Sequence, residues 1–207
     1  MACHDSGLSP FIRGEIHLQT HEIVERRMVA RYVQLGDVVL EAGAGIGSVT
    51  RVLLAAGASV DAYEPSEEPF YLLQQLATIY SGRCQVSRAA LGLITGPGPF
   101  HVYDPWYASR TVELGGEVPR ATVLIDVCRL RDVLGARQYD GVVMDVEGAE
   151  HALLPELLLE DPVRWVVAEL HGDPARLAAT IVSMQLRYRL DAVEVHAQYL
   201  VCGWMSR

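Results

Sequence analysis

Apolar runs of strand length alternate along this chain with segments whose apolar residues recur at helical spacing, a pattern that predicts a parallel βαβ sheet. Residues 18–34 read as a first helix, with Ile23, Val24 and Met28 on one face and "LGD" closing it. "VVLEAG" (38–43) reads as a buried first strand, and "GSVTRVLLAAG" as its following helix, ended by Gly57. "SVDAYEP" (59–65) gives a second strand and "SEEPFYLLQQLATIY" a second such helix. "CQVSRAALG" (84–92) reads as one continuous third strand. The stretch 93–120 is irregular and rich in turn residues, so it predicts a small β-rich insertion with "ATVLIDV" (121–127) as its exit strand. A fourth core strand is expected over 139–145, a helix over "GAEHALLPELLLE" despite Pro155, and a fifth strand over 163–171. After a helix through "PARLAATIVSM", the tail "RYRLDAVEVHAQYLVCGW" patterns as an antiparallel hairpin. The expected architecture is α/β: a doubly wound sheet, mostly parallel, with an antiparallel C-terminal hairpin strand. Residues 1–207 form one domain in this reading, with an N-terminal helical segment over 1–35.

Ligands of such sheets bind beyond the carboxyl ends of the strands, which directs attention to the residues found there. Gly43, Gly45 and Gly47 follow the first strand, where glycine permits a tight turn and close approach of backbone to ligand. Their spacing is G-x-G-x-G, with Ser48 where a dinucleotide fingerprint places its third glycine. Glu41 stands just before the loop; a carboxylate there repels a pyrophosphate and suits a cationic amino-acid moiety. An adenosyl amino acid therefore fits better than a dinucleotide. Glu64 ends the second strand nineteen residues beyond Gly45, the position of an acceptor for two ribose hydroxyls. The fourth strand then ends in "DVEGAE", which sets Asp145, Glu147 and Glu150 within six residues. Capping of the next helix accounts for Glu150, and Asp145 could serve as N-cap with Gly148 easing the entry.

Composition narrows the choices further. The chain is half hydrophobic, carries a net charge of −9 and contains no lysine, so Schiff-base and P-loop lysine chemistry are excluded. The acidic balance disfavours nucleic acid and anionic membrane as partners, and Arg26, Arg27 and Arg31 read as a solvated helix face. Cys3, Cys84, Cys128 and Cys202 are scattered singly, as small buried apolar side chains rather than a zinc site or disulfide framework. No apolar run is long enough to span a bilayer and the first residues carry no secretory pattern, which makes the expected location cytoplasmic.

Taken together, "LEAGAGIG", "YEP", "RAALG", "ASRTVEL", "YDGVVMDVEGAEHALL" and "VVAELH" resemble the motifs of the class I S-adenosylmethionine-dependent methyltransferases, and more narrowly those of the FkbM family. The resemblance runs from about Gly36 to Trp204. It implies a Rossmann-like fold, S-adenosylmethionine as cofactor, and O-methylation of a small molecule, sugar or natural-product intermediate. The alternative is a non-catalytic S-adenosylmethionine-binding module that kept the fold. Cofactor-binding residues carried over by the resemblance are Glu41, Gly43, Ala44, Gly45, Glu64, Pro65, Ala89, which borders the adenine, and Asp145. Two departures stand out. Val143 occupies a position where the family often has lysine, so that charge is lost or supplied by an arginine, and the segment before Gly36 leaves little lid.

The resemblance places Asp145 beside the sulfonium and the acceptor, and Glu147 where it orients or deprotonates an acceptor hydroxyl. His171 joins them as a third catalytic candidate at the end of the fifth strand. Asp145, Glu169 and His171 also offer a possible divalent-metal site, but a carboxylate–histidine pair does acid–base work unaided, so no metal is assigned. His17 and His21, four apart, face one way, and an exposed helix face is preferred to metal or substrate contact. Tyr103, Trp106 and Tyr107 in the insertion line an acceptor pocket or form its small core.

Overall fold

The computed structural model describes residues 22–103, 108–112, 118–160, 162–196 and 199–207. Along the chain these form α1 (Ile23–Tyr32), β1 (Val38–Ala42), α2 (Ser48–Ala55), β2 (Ser59–Tyr63), α3 (Glu67–Ile79) and β3 (Cys84–Ser87). Then follow β4 (Ala90–Gly92), β5 (Gly96–Val102), β6 (Ala121–Arg129), α4 (Leu130–Ala136), β7 (Gly141–Met144) and α5 (Glu150–Leu153). After α5 come a 3₁₀ turn over Leu154–Leu158, β8 (Trp165–His171), α6 (Pro174–Met184), β9 (Tyr188–Val195) and β10 (Tyr199–Ser206). No helix among the described residues is long and apolar enough to cross a membrane.

Seven strands form the main sheet in the order β3-β2-β1-β7-β8-β10-β9. The first five are mutually parallel, while β10 runs antiparallel to both β8 and β9. The winding reverses between β1 and β7, so their carboxyl ends frame the crevice where doubly wound sheets hold ligands. The apolar runs are continuous because both faces are covered. Val39, Val143 and Val167 belong to the core beneath α1, α2 and α3, whereas Leu40, Val142 and Val166 face the core holding Leu130, Leu153, Leu154 and Met184. Strand residues alternate between faces, so neighbours in sequence feed two different cores.

Three differences from the sequence pattern have local causes. The run over 84–92 is two strands, not one: β2 ends at Tyr63 opposite Ser87, so β3 has no partner beyond that point. The chain then leaves the main sheet, and β4 joins a second, three-stranded sheet of order β4-β6-β5 that the sequence placed only within 93–127. The helix over 148–160 is a single α-turn followed by a 3₁₀ turn, since Pro155 has no N–H to continue the α-ladder. Helix α4 is an addition; it buries only Leu130 and so carries almost no amphipathic signal. By contrast α6 begins and ends as the pattern predicts, with Asp173 Oδ1 accepting from the Ala175 and Arg176 N–H groups.

Candidate active site

The loop after β1 holds Gly43, Gly45 and Gly47 at positive φ (78°, 52° and 82°). At Gly43 a side chain has no room, because its Cβ would lie 1.6 Å from the Asp145 carbonyl oxygen. That contact seats the glycine loop directly against the end of β7. Gly43 and Ala44 N–H groups both donate to the Tyr63 carbonyl, at 2.9 and 3.1 Å, which ties the loop to the end of β2. Gly45 N–H donates to Glu64 Oε2 at 2.8 Å and Ser66 N–H to Oε1 at 2.6 Å, across the intervening Pro65. The Glu64 carboxylate is thereby locked, and each oxygen keeps a lone pair for a further donor. Burial pushes the Glu64 carboxyl upward against these donors. Beneath the loop Glu41 is buried and accepts from the Thr50 hydroxyl at 2.7 Å; burial pushes it up to about 8. Ala89 is buried where the chain passes from β3 to β4.

A second group of side chains collects where β7 and β8 end. Asp145 N–H donates to the Ala42 carbonyl at 2.9 Å, and its Oδ1 is shielded from solvent without a hydrogen-bond partner. Glu147 adopts a left-handed backbone (φ 52°), a conformation unusual for a non-glycine residue. His171 is the hub. Its Nε2 lies 3.0 Å from Glu169 Oε1 and 3.4 Å from Glu147 Oε2, while Nδ1 lies 3.1 Å from Glu150 Oε1. Glu150 is fully buried; it also accepts from His171 N–H at 2.6 Å and from Gly148 N–H at 2.7 Å. The carbonyl of His171 is held in turn by His151 Nε2, and His151 Nδ1 meets the Thr180 hydroxyl at 2.6 Å.

The capping interpretation of the acids does not survive this geometry. The N-cap of α5 is Ala149 and no side chain caps it, so Asp145 is not an N-cap. Glu150 sits in the first turn and serves Gly148, but its other bonds fix His171. Ligand atoms of Asp145, Glu147 and His171 lie within 4.8 Å of one another. Glu169 completes the cluster from one side, as its shared strand face with His171 requires.

Burial opposes charge on His171, but hydrogen bonds to Glu150 and Glu169 and the charges of Glu147 and Asp145 outweigh it and raise the imidazole to about 11. Burial, with Glu169 nearby and partly offset by His171, holds Glu147 at about 7. Asp145 is driven well above the usual carboxylate range by burial and by Glu169 and Glu147. At neutral pH the histidine therefore keeps its proton, and Glu147 is the carboxylate poised to exchange one.

Three contributors were not singled out from the sequence. Glu25 of α1 is buried and raised to about 8 by burial and by a hydrogen bond with Glu169. Glu22, at the start of that helix, is raised by burial and by the charges of Glu41, Glu25, Glu169 and Glu64. The signal was present for Glu25: it interrupts the buried stripe continued by Met28, Val29 and Tyr32. Arg110 is buried with its guanidinium 4.1 Å from the centre of the Tyr103 ring, and its charge opposes the upward shift of Glu147. Tyr103 thus packs under Arg110. Trp106, Tyr107, His17, His21 and Cys3 lie outside the described residues. Cys84 and Cys202 are buried free thiols and Cys128 a half-buried one, whereas Arg27 and Arg31 are exposed and Arg26 is half-buried.

A parallel five-stranded sheet wound about β1, a reversed β10 inserted between β8 and β9, and a glycine loop after β1 define the class I S-adenosylmethionine-dependent methyltransferase fold. Solved structures bear this out. Magnesium protoporphyrin IX methyltransferase from Synechocystis PCC 6803, solved with S-adenosylmethionine bound, is 19% identical, with a TM-score of 0.56 over 98% of this chain and 86% of its own. The tRNA (uracil-54, C5)-methyltransferase of Pyrococcus abyssi, in complex with S-adenosyl-L-homocysteine, is 15% identical, with a TM-score of 0.52 over 90% of this chain but 38% of its own. No family model matches the chain, and no curated protein does.

Proposed function

We propose that this protein is an S-adenosylmethionine-dependent methyltransferase that transfers a methyl group to an oxygen of a small molecule, sugar or natural-product intermediate. The observation that carries the reading is the contact between Gly43 and the Asp145 carbonyl, which joins the glycine loop to the Asp145–Glu147–His171 cluster. A ribose-bearing, cationic cofactor suits the residues present. Glu64 is oriented and retains lone pairs for hydroxyl donors, Glu41 is a buried carboxylate, and the half-buried Asp145 has an Oδ1 that is shielded from solvent and lacks a partner. When bound, the cofactor supplies an electrophilic methyl group on a sulfonium. The chain itself has to align the acceptor and manage one proton. Glu147, held near neutrality, accepts that proton from the acceptor hydroxyl. His171 is the fixed counter-charge that keeps the carboxylates together, not the base.

The Asp-x-Glu-Gly-x-Glu run over Asp145–Glu150 supports the narrower resemblance to the FkbM family. Arg110 supports the idea that an arginine supplies the charge absent at Val143, since it is buried and acts on Glu147. The test is Glu147→Gln with two readouts. Calorimetry should give affinity for S-adenosyl-L-homocysteine within a few-fold of the parent, while methyl transfer to an acceptor found by screening falls by roughly 10²–10⁴. Equal turnover would remove Glu147 from the chemistry. Tight cofactor binding by the parent without transfer to any acceptor would favour the non-catalytic module.

A further inference from the structure

An open edge of a β-sheet offers unpaired N–H and C=O groups to another strand, and folded proteins blunt such edges with charge, proline or brevity. Three edges of this molecule are blunted in those ways. In the main sheet, β3 has only four residues, and β9 carries Arg189, Asp191 and Glu194. In the small sheet, β5 is an edge strand that carries Pro97 and Pro99. His101 of β5 exchanges both backbone bonds with Arg110, at 2.8 and 3.0 Å, so its N–H and C=O point away from β6. Direction alternates along a strand, so Pro97 and Pro99 stand on that same outer side, where a missing N–H denies a newcomer a bond.

The edge of β6 lacks any such device. This strand is nine residues long, but β4 pairs with it only over Val127–Arg129. Among the described residues, no strand lies beside Ala121–Asp126 on the side away from β5. Because Gly98 and Phe100 face β6, their partners Ile125 and Val123 face β5. Thr122, Leu124 and Asp126 therefore direct their N–H and C=O groups outward. Between Arg120 and Asp126 there is no proline, glycine or charge, and Val123 and Leu124 are 44% and 77% exposed. Such an edge is a template for one more strand.

The sequence of this edge is complementary to itself. The free stretch lies between Pro119 and Val127, where β4 begins, and its midpoint is Val123. An antiparallel copy related by a two-fold axis at Val123 sets Thr122 against Leu124 of the second chain. Both carry outward backbone groups, so the ladder closes. The same register sets the exposed Arg120 opposite the exposed Asp126, twice by symmetry. Arg120 N–H is already given to the Val102 carbonyl, so that pair meets through side chains. Moving the axis to Leu124 would run the second strand against β4 and set Arg120 opposite Cys128.

We infer that the chain forms a two-fold dimer in which the β6 edges of two copies pair about Val123, joining their small sheets into one continuous sheet. The pairing uses the edge of this sheet opposite the one that holds Arg110, and it does not depend on the methyltransferase reading. One short strand pair buries less than a standard interface of roughly 1,600 Å², so the dimer belongs to the weak class.

The experiment is sedimentation velocity of the full chain from micromolar to hundreds of micromolar, joined to disulfide cross-linking. The parent should pass from monomer to dimer over that range. Leu124→Pro removes an N–H that β5 does not use, so it should weaken dimerisation by roughly ten-fold or more while the thermal melt changes little. Arg120→Asp and Asp126→Arg should each weaken it by setting like charges opposite each other, and an equimolar mixture of the two should recover it. Val123→Cys should cross-link to its own copy under mild oxidation, because a non-hydrogen-bonded antiparallel pair stands about 4.5 Å apart at Cα, within disulfide reach. Thr122→Cys, off the axis, should not. If Leu124→Pro disturbs the fold, the charge mixture and the cross-link still decide. A parent that stays monomeric at hundreds of micromolar would overturn the pairing. So would a dimer that ignores Leu124→Pro and gives no Val123→Cys cross-link. Slow hydrogen exchange of the Leu124 amide in a monomeric sample would also overturn it, by showing that the chain covers its own edge.

Discussion

Gly43 and Glu150 show how much single positions carry. The Cβ of Gly43→Ala would collide with the Asp145 carbonyl, and backbone cannot yield as a flexible side chain can. The alanine must also hold a φ of 78°. Overpacking and left-handed strain together set an expected loss of about 2–4 kcal/mol in urea unfolding, with S-adenosyl-L-homocysteine affinity falling alongside. A stable Gly43→Ala that binds normally would mean that loop and β7 move apart freely. Glu150 is different in kind, since three donors converge on one buried carboxylate. Glu150→Gln turns one acceptor oxygen into a donor and leaves at least one N–H unpaired, at about 1–3 kcal/mol. Glu150→Ala strands all of them and should cost more. Chemical denaturation of the two variants checks the ranking, which a simple helix-capping role would not produce.

Among elements, α1 is tied to the last two strands by long-range packing. Tyr32 donates to Asp191 Oδ2 on β9 at 3.0 Å, and its ring lies over Gly203 of β10, where an added Cβ would fall 2.5 Å from the hydroxyl. Gly203→Ala should therefore lift α1 and cost about 1–3 kcal/mol. In a Tyr32→Ala background the same change should be nearly neutral, so a double-mutant cycle reads the coupling directly. This packing also explains what was legible in the sequence. Strands β1, β7 and β8 could be read because burial on both faces writes nearly unbroken apolar runs, β2 because Val60 and Ala62 alternate with polar neighbours, and α6 because Asp173 announces its start. Asp145 and Glu147 were readable because a strand followed by a short acidic motif puts them at a known end of the sheet, and His171 because it ends the neighbouring parallel strand at the same edge. Glu25 showed only as an acid within the buried stripe of α1, and neither it nor Glu22 could be tied to the site, because Glu41, Glu64 and Glu169 come from distant strands. The break of β3 at Ser87 was hidden for the same reason, as it depends on where β2 stops.

The whole molecule concentrates its negative charge unevenly. Glu22, Glu25, Glu41, Glu64, Asp145 and Glu147 surround one crevice, and burial raises the carboxyl of each. A group whose folded pKa lies above its unfolded value favours the fold fully below the unfolded value, and that contribution is lost as pH rises through the folded one. Glu25 and Glu41 at about 8 and Glu147 at about 7, against a reference of 4.5, set the window between about pH 4.5 and 8. His171 acts in the same direction, its contribution lost between 6.5 and about 11. The lowered Asp173 and Asp191 act oppositely, but only below their ordinary value of 3.8. The ligand-free protein should therefore be most stable near pH 5 and lose melting temperature steadily towards pH 8.5. Glu41→Gln keeps an oxygen for the Thr50 hydroxyl but cannot ionise, so its profile should be flatter. A cation in the crevice should reverse the penalty, because it favours the charged carboxylates. Stabilisation by S-adenosylmethionine should then exceed that by S-adenosyl-L-homocysteine, which lacks the sulfonium charge, by more at pH 8 than at pH 5.5. Thermal melts at the two pH values with each ligand decide the point, and equal increments at both would show that the buried acids do not sense the cofactor's charge.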